Sequence, residues 1–173
     1  MSSSANKVNE TPREKYDRLE ALREEYLDIY GPMEPEVNKE LKYFGNTSKE
    51  NKLKSAPQLA NKVYDFTTGL RKLIECNTGI VNVLNTKDDP ENKSAAAIRQ
   101  NEINTFKRIM TDVFYFMAEF KVNDFAKEGN KLIAKQQAKL VKEKLKESKK
   151  AEKAENKRAK EEAKKEVKKG RVL

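Results

Sequence analysis

From Thr11 onward the chain is laid out in helical periods. Thr11-Pro12-Arg13-Glu14 has the form of a capping box with proline at the first helical position. Tyr16, Leu19, Leu22, Tyr26 and Ile29 follow at three- and four-residue spacing, the pattern of one buried helix face. Gly31-Pro32 ends that run. A short second helix is predicted from Pro35, with Val37, Leu41 and Phe44 on its apolar face and Gly45 at its end. After a polar loop, Ser55 is the expected cap of a third helix beginning near Pro57. Leu59, Val63, Phe66, Leu70, Leu73 and Ile74 share one face of it. "CNTG" at Cys76–Gly79 is an expected break. The "IVNVL" that follows has strand-like residues but no second strand to pair with, so it reads as helical or extended packing.

Asp89 before Pro90 caps a fourth helix. Ile98, Phe106, Ile109, Met110, Val113, Phe116, Met117 and Phe120 fall within roughly 160° of an ideal wheel, which marks them as core. Asn123-Asp124 is the expected interruption, with Asp124 capping a last helix. Phe125, Leu132, Ile133, Leu140, Val141 and Leu145 give the start of that helix something to bury. Past Leu145 only alanines and Val167 remain before the terminus, so the helix is expected to leave the bundle there. The pattern as a whole predicts an all-α protein: a small bundle of about four helices with a long, basic, partly protruding C-terminal helix. Residues 1–10 are expected to be disordered, 11–145 to form the helical module, and 146–173 to form a Lys/Glu/Ala-rich tail.

Composition sharpens this division. Hydrophobic residues are 36 % and charged residues 38 % of the 173, against about 45–50 % and about 25 % in ordinary domains. The net charge of +9 is not spread evenly. Residues 1–125 carry 19 Lys and Arg against 20 Asp and Glu, whereas residues 126–173 carry 18 against 8. The positive charge belongs to the last helix.

Several chemistries find no residues to use. The chain has no His and one Cys, which excludes His-based triads, His metal sites, cysteine zinc clusters and an internal disulfide. Cys76 reads as an inert, partly buried residue. The six glycines are scattered, with no phosphate-binding loop among them. Glu24, Glu25 and Asp28 lie close on one helix and read as a solvated charged face. No cofactor, no metal and no enzymatic activity are expected. Neither a signal peptide nor a membrane span is present in the pattern, which places the protein inside a cell, in cytoplasm or nucleus, or in a virion.

The tail allows three uses: a solvated strut, a coiled-coil strand or an anion-binding arm. Alanine alone past Leu145 makes too weak a seam for a coiled coil. Six acid–base pairs at i,i+3 support a lone helix: Glu143–Lys146, Glu147–Lys150, Glu155–Arg158, Glu161–Lys164, Glu162–Lys165 and Glu166–Lys169. On the wheel, however, Lys127, Lys131, Lys135, Lys139, Lys142, Lys146, Lys149, Lys153, Lys157, Lys160, Lys164 and Lys168 form one stripe within roughly 140°. From Lys139 onward no carboxylate enters that arc. Such segregation costs repulsion that an interspersed strut would avoid, and phosphates laid along it would relieve that repulsion with release of counterions.

Lys139, Lys142, Lys146, Lys149, Lys150, Lys153, Lys157, Lys160, Lys164 and Lys168 are therefore the expected contacts to nucleic acid or another polyanion. The stripe lacks aromatics and nearly all arginine, which suits backbone attraction and not base reading. The helical module is expected to contact a protein partner. The competing expectation is a structural or assembly protein whose charged helix is a strut or subunit contact.

Overall fold

The computed structural model describes residues 9–170. Among them are five helices and no strand: α1 (Pro12–Tyr30), α2 (Met33–Asn46), α3 (Lys49–Leu84), α4 (Pro90–Glu119) and α5 (Val122–Gly170). The all-α bundle follows the hydrophobic periods closely. Thr11 caps α1 through its hydroxyl oxygen, which accepts from the Glu14 amide at 3.2 Å. Asp89 Oδ1 does the same for the Glu91 amide at 3.0 Å. Of the expected disordered segment 1–10, residues 1–8 lie outside the described residues. Glu10 is held by Arg18 at 2.6 Å.

The helix α3 is the spine, with α1, α2 and α4 all packed on it. Its buried positions run Ala56, Leu59, Val63, Phe66, Leu70, Leu73, Cys76, Ile80 and Leu84, an unbroken succession of three- and four-residue steps. It starts earlier than expected. Ser48, not Ser55, is the cap, with its Oγ accepting from the Asn51 amide at 3.3 Å, and Pro57 sits inside the helix. The expected break at Cys76–Gly79 is also absent. Gly79 serves packing there, since a Cβ on it would lie 2.8 Å from Leu19 Cδ1. Gly69 is tighter still: a Cβ would meet the Tyr30 ring at 2.2 Å, so the end of α1 rests directly on the α3 backbone.

Two buried clusters result. The larger joins Val37, Leu41 and Phe44 of α2 to Leu59, Val63, Phe66, Leu70 and Leu73 of α3 and to Val113 and Met117 of α4. The smaller joins Leu19, Cys76, Ile80, Leu84 and Ala96. Burying a large apolar side chain contributes about 1.5–3 kcal/mol, and these residues are the main source of stability. Asn77 is the anomaly. It is fully buried on α3, and neither its side-chain oxygen nor its nitrogen has a hydrogen-bond partner.

A closed ring of four charges ties α1 to α4. Arg23 grips Glu102 at 2.7 Å, Glu102 faces Arg99 at 3.3 Å, Arg99 holds Glu20 at 2.9 Å, and Glu20 returns to Arg23 at 3.9 Å. All four side chains are about four-fifths buried. Burial pulls the Arg99 guanidinium's pKa down, but the Glu20 hydrogen bond and the charges of Glu20, Glu102 and Tyr16 outweigh it, so the net shift is upward.

Candidate nucleic-acid interface

The last helix begins at a backbone device. Phe120 and Lys121 are the whole link between α4 and α5, and Lys121 has φ 55°, a left-handed geometry that disfavours a side chain. The break therefore falls three residues before the Asp124 cap that the sequence suggests. Behind it Val122, Ala126 and Gly129 are buried. The Phe125 ring meets Phe44 edge-on at 5.8 Å, with the Lys52 ammonium 5.8 Å from both rings.

Gly129 marks the tightest contact of this segment. A Cβ there would stand 2.3 Å from the Leu53 carbonyl oxygen and 3.1 Å from Pro57 Cγ. Pro57 has no N–H to offer that carbonyl from one turn on, and the missing side chain at 129 lets α5 pass close by it. The chain's compact units divide here, at Gly129 and Asn130.

From Asn130 to Gly170 every residue is exposed. This corrects the expectation that Leu132, Ile133, Leu140, Val141 and Leu145 are buried: their exposures run from 41 % to 56 %. The physical reason is angular. These five residues spread over about 220° of the helix wheel, too wide an arc for one buried stripe. The packed module thus closes at Gly129 and not near residue 145.

All ten expected contact residues lie on this stretch of α5. Lys139, Lys142, Lys146, Lys149, Lys153, Lys157, Lys160, Lys164 and Lys168 follow one another by three or four residues within one unbroken helix, and Lys150 borders them. From Lys139 to Lys168 the row is about 44 Å long at 1.5 Å per residue. Among the described residues no carboxylate lies within 4.0 Å of any of these ammonium groups, and none of the six i,i+3 pairs closes to that distance. Exposed pairs of long side chains gain little from closing. The ammonium groups are left open to an outside anion.

A second surface was not foreseen. Phe116 was expected in the core, as was Ile98, yet they are 41 % and 61 % exposed. The buried face of α4 is Ala96, Ile103, Val113 and Met117, centred to one side of the arc chosen from the larger residues. Phe116 stacks on Phe120 at 5.7 Å, and Tyr115 meets Phe116 edge-on at 5.8 Å. With Leu41, Lys42 and Gly45 of α2, Phe116 and Phe120 line a hollow of about 160 Å³. The apolar pair Ala96 and Ile103, seven residues apart on one side of the helix, was the available clue to this rotation.

Cys76 is buried more fully than the sequence suggests, and burial, with the Glu75 charge, pushes its thiol pKa up. Among the described residues no group of three His, Cys, Asp or Glu could hold a metal ion, and no helix is long and apolar enough to cross a membrane. The chain matches no protein-family model, no curated protein and no solved structure.

Proposed function

We propose that this protein binds nucleic acid, or a nucleoprotein particle, without sequence specificity through the lysine face of α5, while the helical module makes a protein contact. The supporting observation is the one-sided row of ammonium groups on the fully exposed stretch of α5 after Gly129, none of them matched by a carboxylate among the described residues. Lysine is a compact, strongly hydrated point charge. A row of such charges neutralises phosphates and displaces their counterions wherever the strand runs, with no preference among bases. The setting that suits this role is inside a cell or a virion.

Charge reversal on opposite faces tests the reading. Lys146, Lys153, Lys160 and Lys164 are exchanged for Glu in one variant, and Glu147, Glu155, Glu162 and Glu166 for Lys in another. Binding of a labelled duplex is followed by anisotropy across salt concentration. The wild type is expected to weaken linearly on a log–log plot, with a slope of about −0.9 for each phosphate neutralised. The first variant should lose most of its affinity and flatten that slope, and the second should bind at least as well. Affinity that tracks net charge regardless of face would reduce the row to a by-product of helix-stabilising spacing.

The exposed aromatics support a second reading. Tyr115 and Phe116 form the kind of apolar surface that marks a contact between proteins. In that reading the protein is an assembly component, and α5 is a strut or subunit contact. A wild type with no salt-dependent affinity for duplex or single strand at low ionic strength would favour it.

A further inference from the structure

The outer face of α1 is an acidic counterpart to the lysine row. Glu14, Asp17, Ala21, Glu24 and Asp28 follow one another by three, four, three and four residues, and Glu25 lies beside them. All are exposed. At about 100° per residue they occupy an arc of roughly 100° directly away from buried Leu19. Lys139, Lys142, Lys146, Lys149 and Lys153 repeat the same succession of steps.

The acids stay uncompensated because the nearby bases are engaged elsewhere. Arg23 is turned into the buried ring with Glu20 and Glu102. Arg18 reaches back to Glu10 at 2.6 Å. Only Asp17 has a partner among the described residues, Arg13 at 3.4 Å, and both are widely exposed. Glu24, Glu25 and Asp28 therefore present negative charge with nothing of opposite sign within 4.0 Å.

We infer that the lysine row of α5 in one copy docks along the acidic outer face of α1 in a second copy. Two helices carrying opposite charges at one shared periodicity can lie side by side with Glu14, Asp17, Glu24 and Asp28 in step with the lysines. The donor and acceptor surfaces are different, so the contact is head-to-tail. Each added copy leaves one lysine row and one acidic face unfilled, and association is open-ended unless a ring closes. Individual exposed ion pairs are weak and screened by salt, so the assembly should be concentration-dependent and salt-labile. This inference goes beyond the nucleic-acid reading and does not rest on it. Both use the same lysines, so a polyanion would displace the second copy.

Sedimentation velocity of full-length, nucleic-acid-free protein tests this at low and high salt. The wild type should show mass rising with concentration at low salt and a monomer at high salt. Reversing Glu24, Glu25 and Asp28 to Lys, or reversing Lys146, Lys149 and Lys153 to Glu, should each weaken self-association by at least about tenfold, the equivalent of about 1.4 kcal/mol. A milder set, Glu24→Gln, Glu25→Gln and Asp28→Asn, should fall between, and circular dichroism verifies that all variants keep their helices.

Mixing the two reversed variants gives the sharpest result. The acid-face variant still owns a lysine tail, and the tail variant still owns an acidic α1, so the mixture should associate where neither does alone. The acid-face variant should also keep its affinity for duplex, which separates failure here from failure of the nucleic-acid reading. A wild type that is monomeric at every concentration in low salt overturns the inference. So does a mixture that fails to associate, or a salt response independent of concentration, which would place the contact within one chain.

Discussion

A single side chain carries an avoidable cost in this fold. Asn77 is buried with both polar atoms unpaired, and leaving such a group without a partner costs about 1–3 kcal/mol. Asn77→Leu has nearly the same shape and no polar atoms. It should raise the urea midpoint by an equivalent amount at unchanged slope. A lowered midpoint would mean that the amide makes contacts worth keeping. Two phenylalanines provide a second comparison, because sequence alone ranks them equally while burial does not. Phe44 is fully buried and Phe116 is 41 % exposed. Phe44→Ala should cost about 3–5 kcal/mol, whereas Phe116→Ala should cost about 1 kcal/mol, having less contact to lose. Equal losses in equilibrium unfolding would contradict the rotation of α4 described above.

Between elements, the approach of one backbone to another sets the tolerances. Gly129→Ala puts a methyl 2.3 Å from the Leu53 carbonyl oxygen, and backbone cannot swing aside as a side-chain end can. The expected cost is about 1–3 kcal/mol. Lys121→Gly acts in the opposite sense, because glycine adopts φ 55° without the steric cost of a Cβ. It should stabilise by about 0.5–1 kcal/mol, and thermal unfolding of the two variants should move in opposite directions. Both sites show where sequence was legible and where it was not. The helices themselves could be read from apolar spacing, as could the caps at Thr11 and Asp89, because these depend only on neighbours within a turn or two. The start of α3 could not: Pro57 looks like a first-turn residue, and its place inside the helix leaves the Leu53 carbonyl without a helical donor, beside Gly129, 76 positions after Leu53. The orientation of α4 was misjudged for a related reason. Ala96 and Ile103 are buried on it and Phe116 is half-exposed, so size was a poor guide to which side faces α3. The lysine row was legible in full because its geometry needs nothing but an unbroken helix.

Across the whole molecule, apolar burial and positive charge are kept apart. Among the described residues every buried hydrophobic side chain lies at or before Ala126, while the charge excess falls after it. A chain ended at Asn130 should therefore keep cooperative unfolding and a melting temperature within a few degrees of that of residues 1–173, and should lack the proposed affinity for polyanions. Broad, noncooperative melting of the shortened chain would show that the removed helix contributes to the module's stability. The one-sided lysines have another effect, on the helix that bears them. Lysines three or four residues apart repel by a few tenths of a kcal/mol per pair, and among the described residues no carboxylate within 4.0 Å relieves them. Added salt shortens the range of that repulsion from about 30 Å at 0.01 M to about 8 Å at 0.15 M. The far-ultraviolet dichroism of the free protein should deepen over the same range in which the proposed hold on phosphates weakens. On the proposed function, a bound polyanion would do for this helix what salt does, as a multivalent counterion that stiffens the helix it lies along. Such a ligand and dissolved ions would compete for the surface, yet both would favour the same conformation.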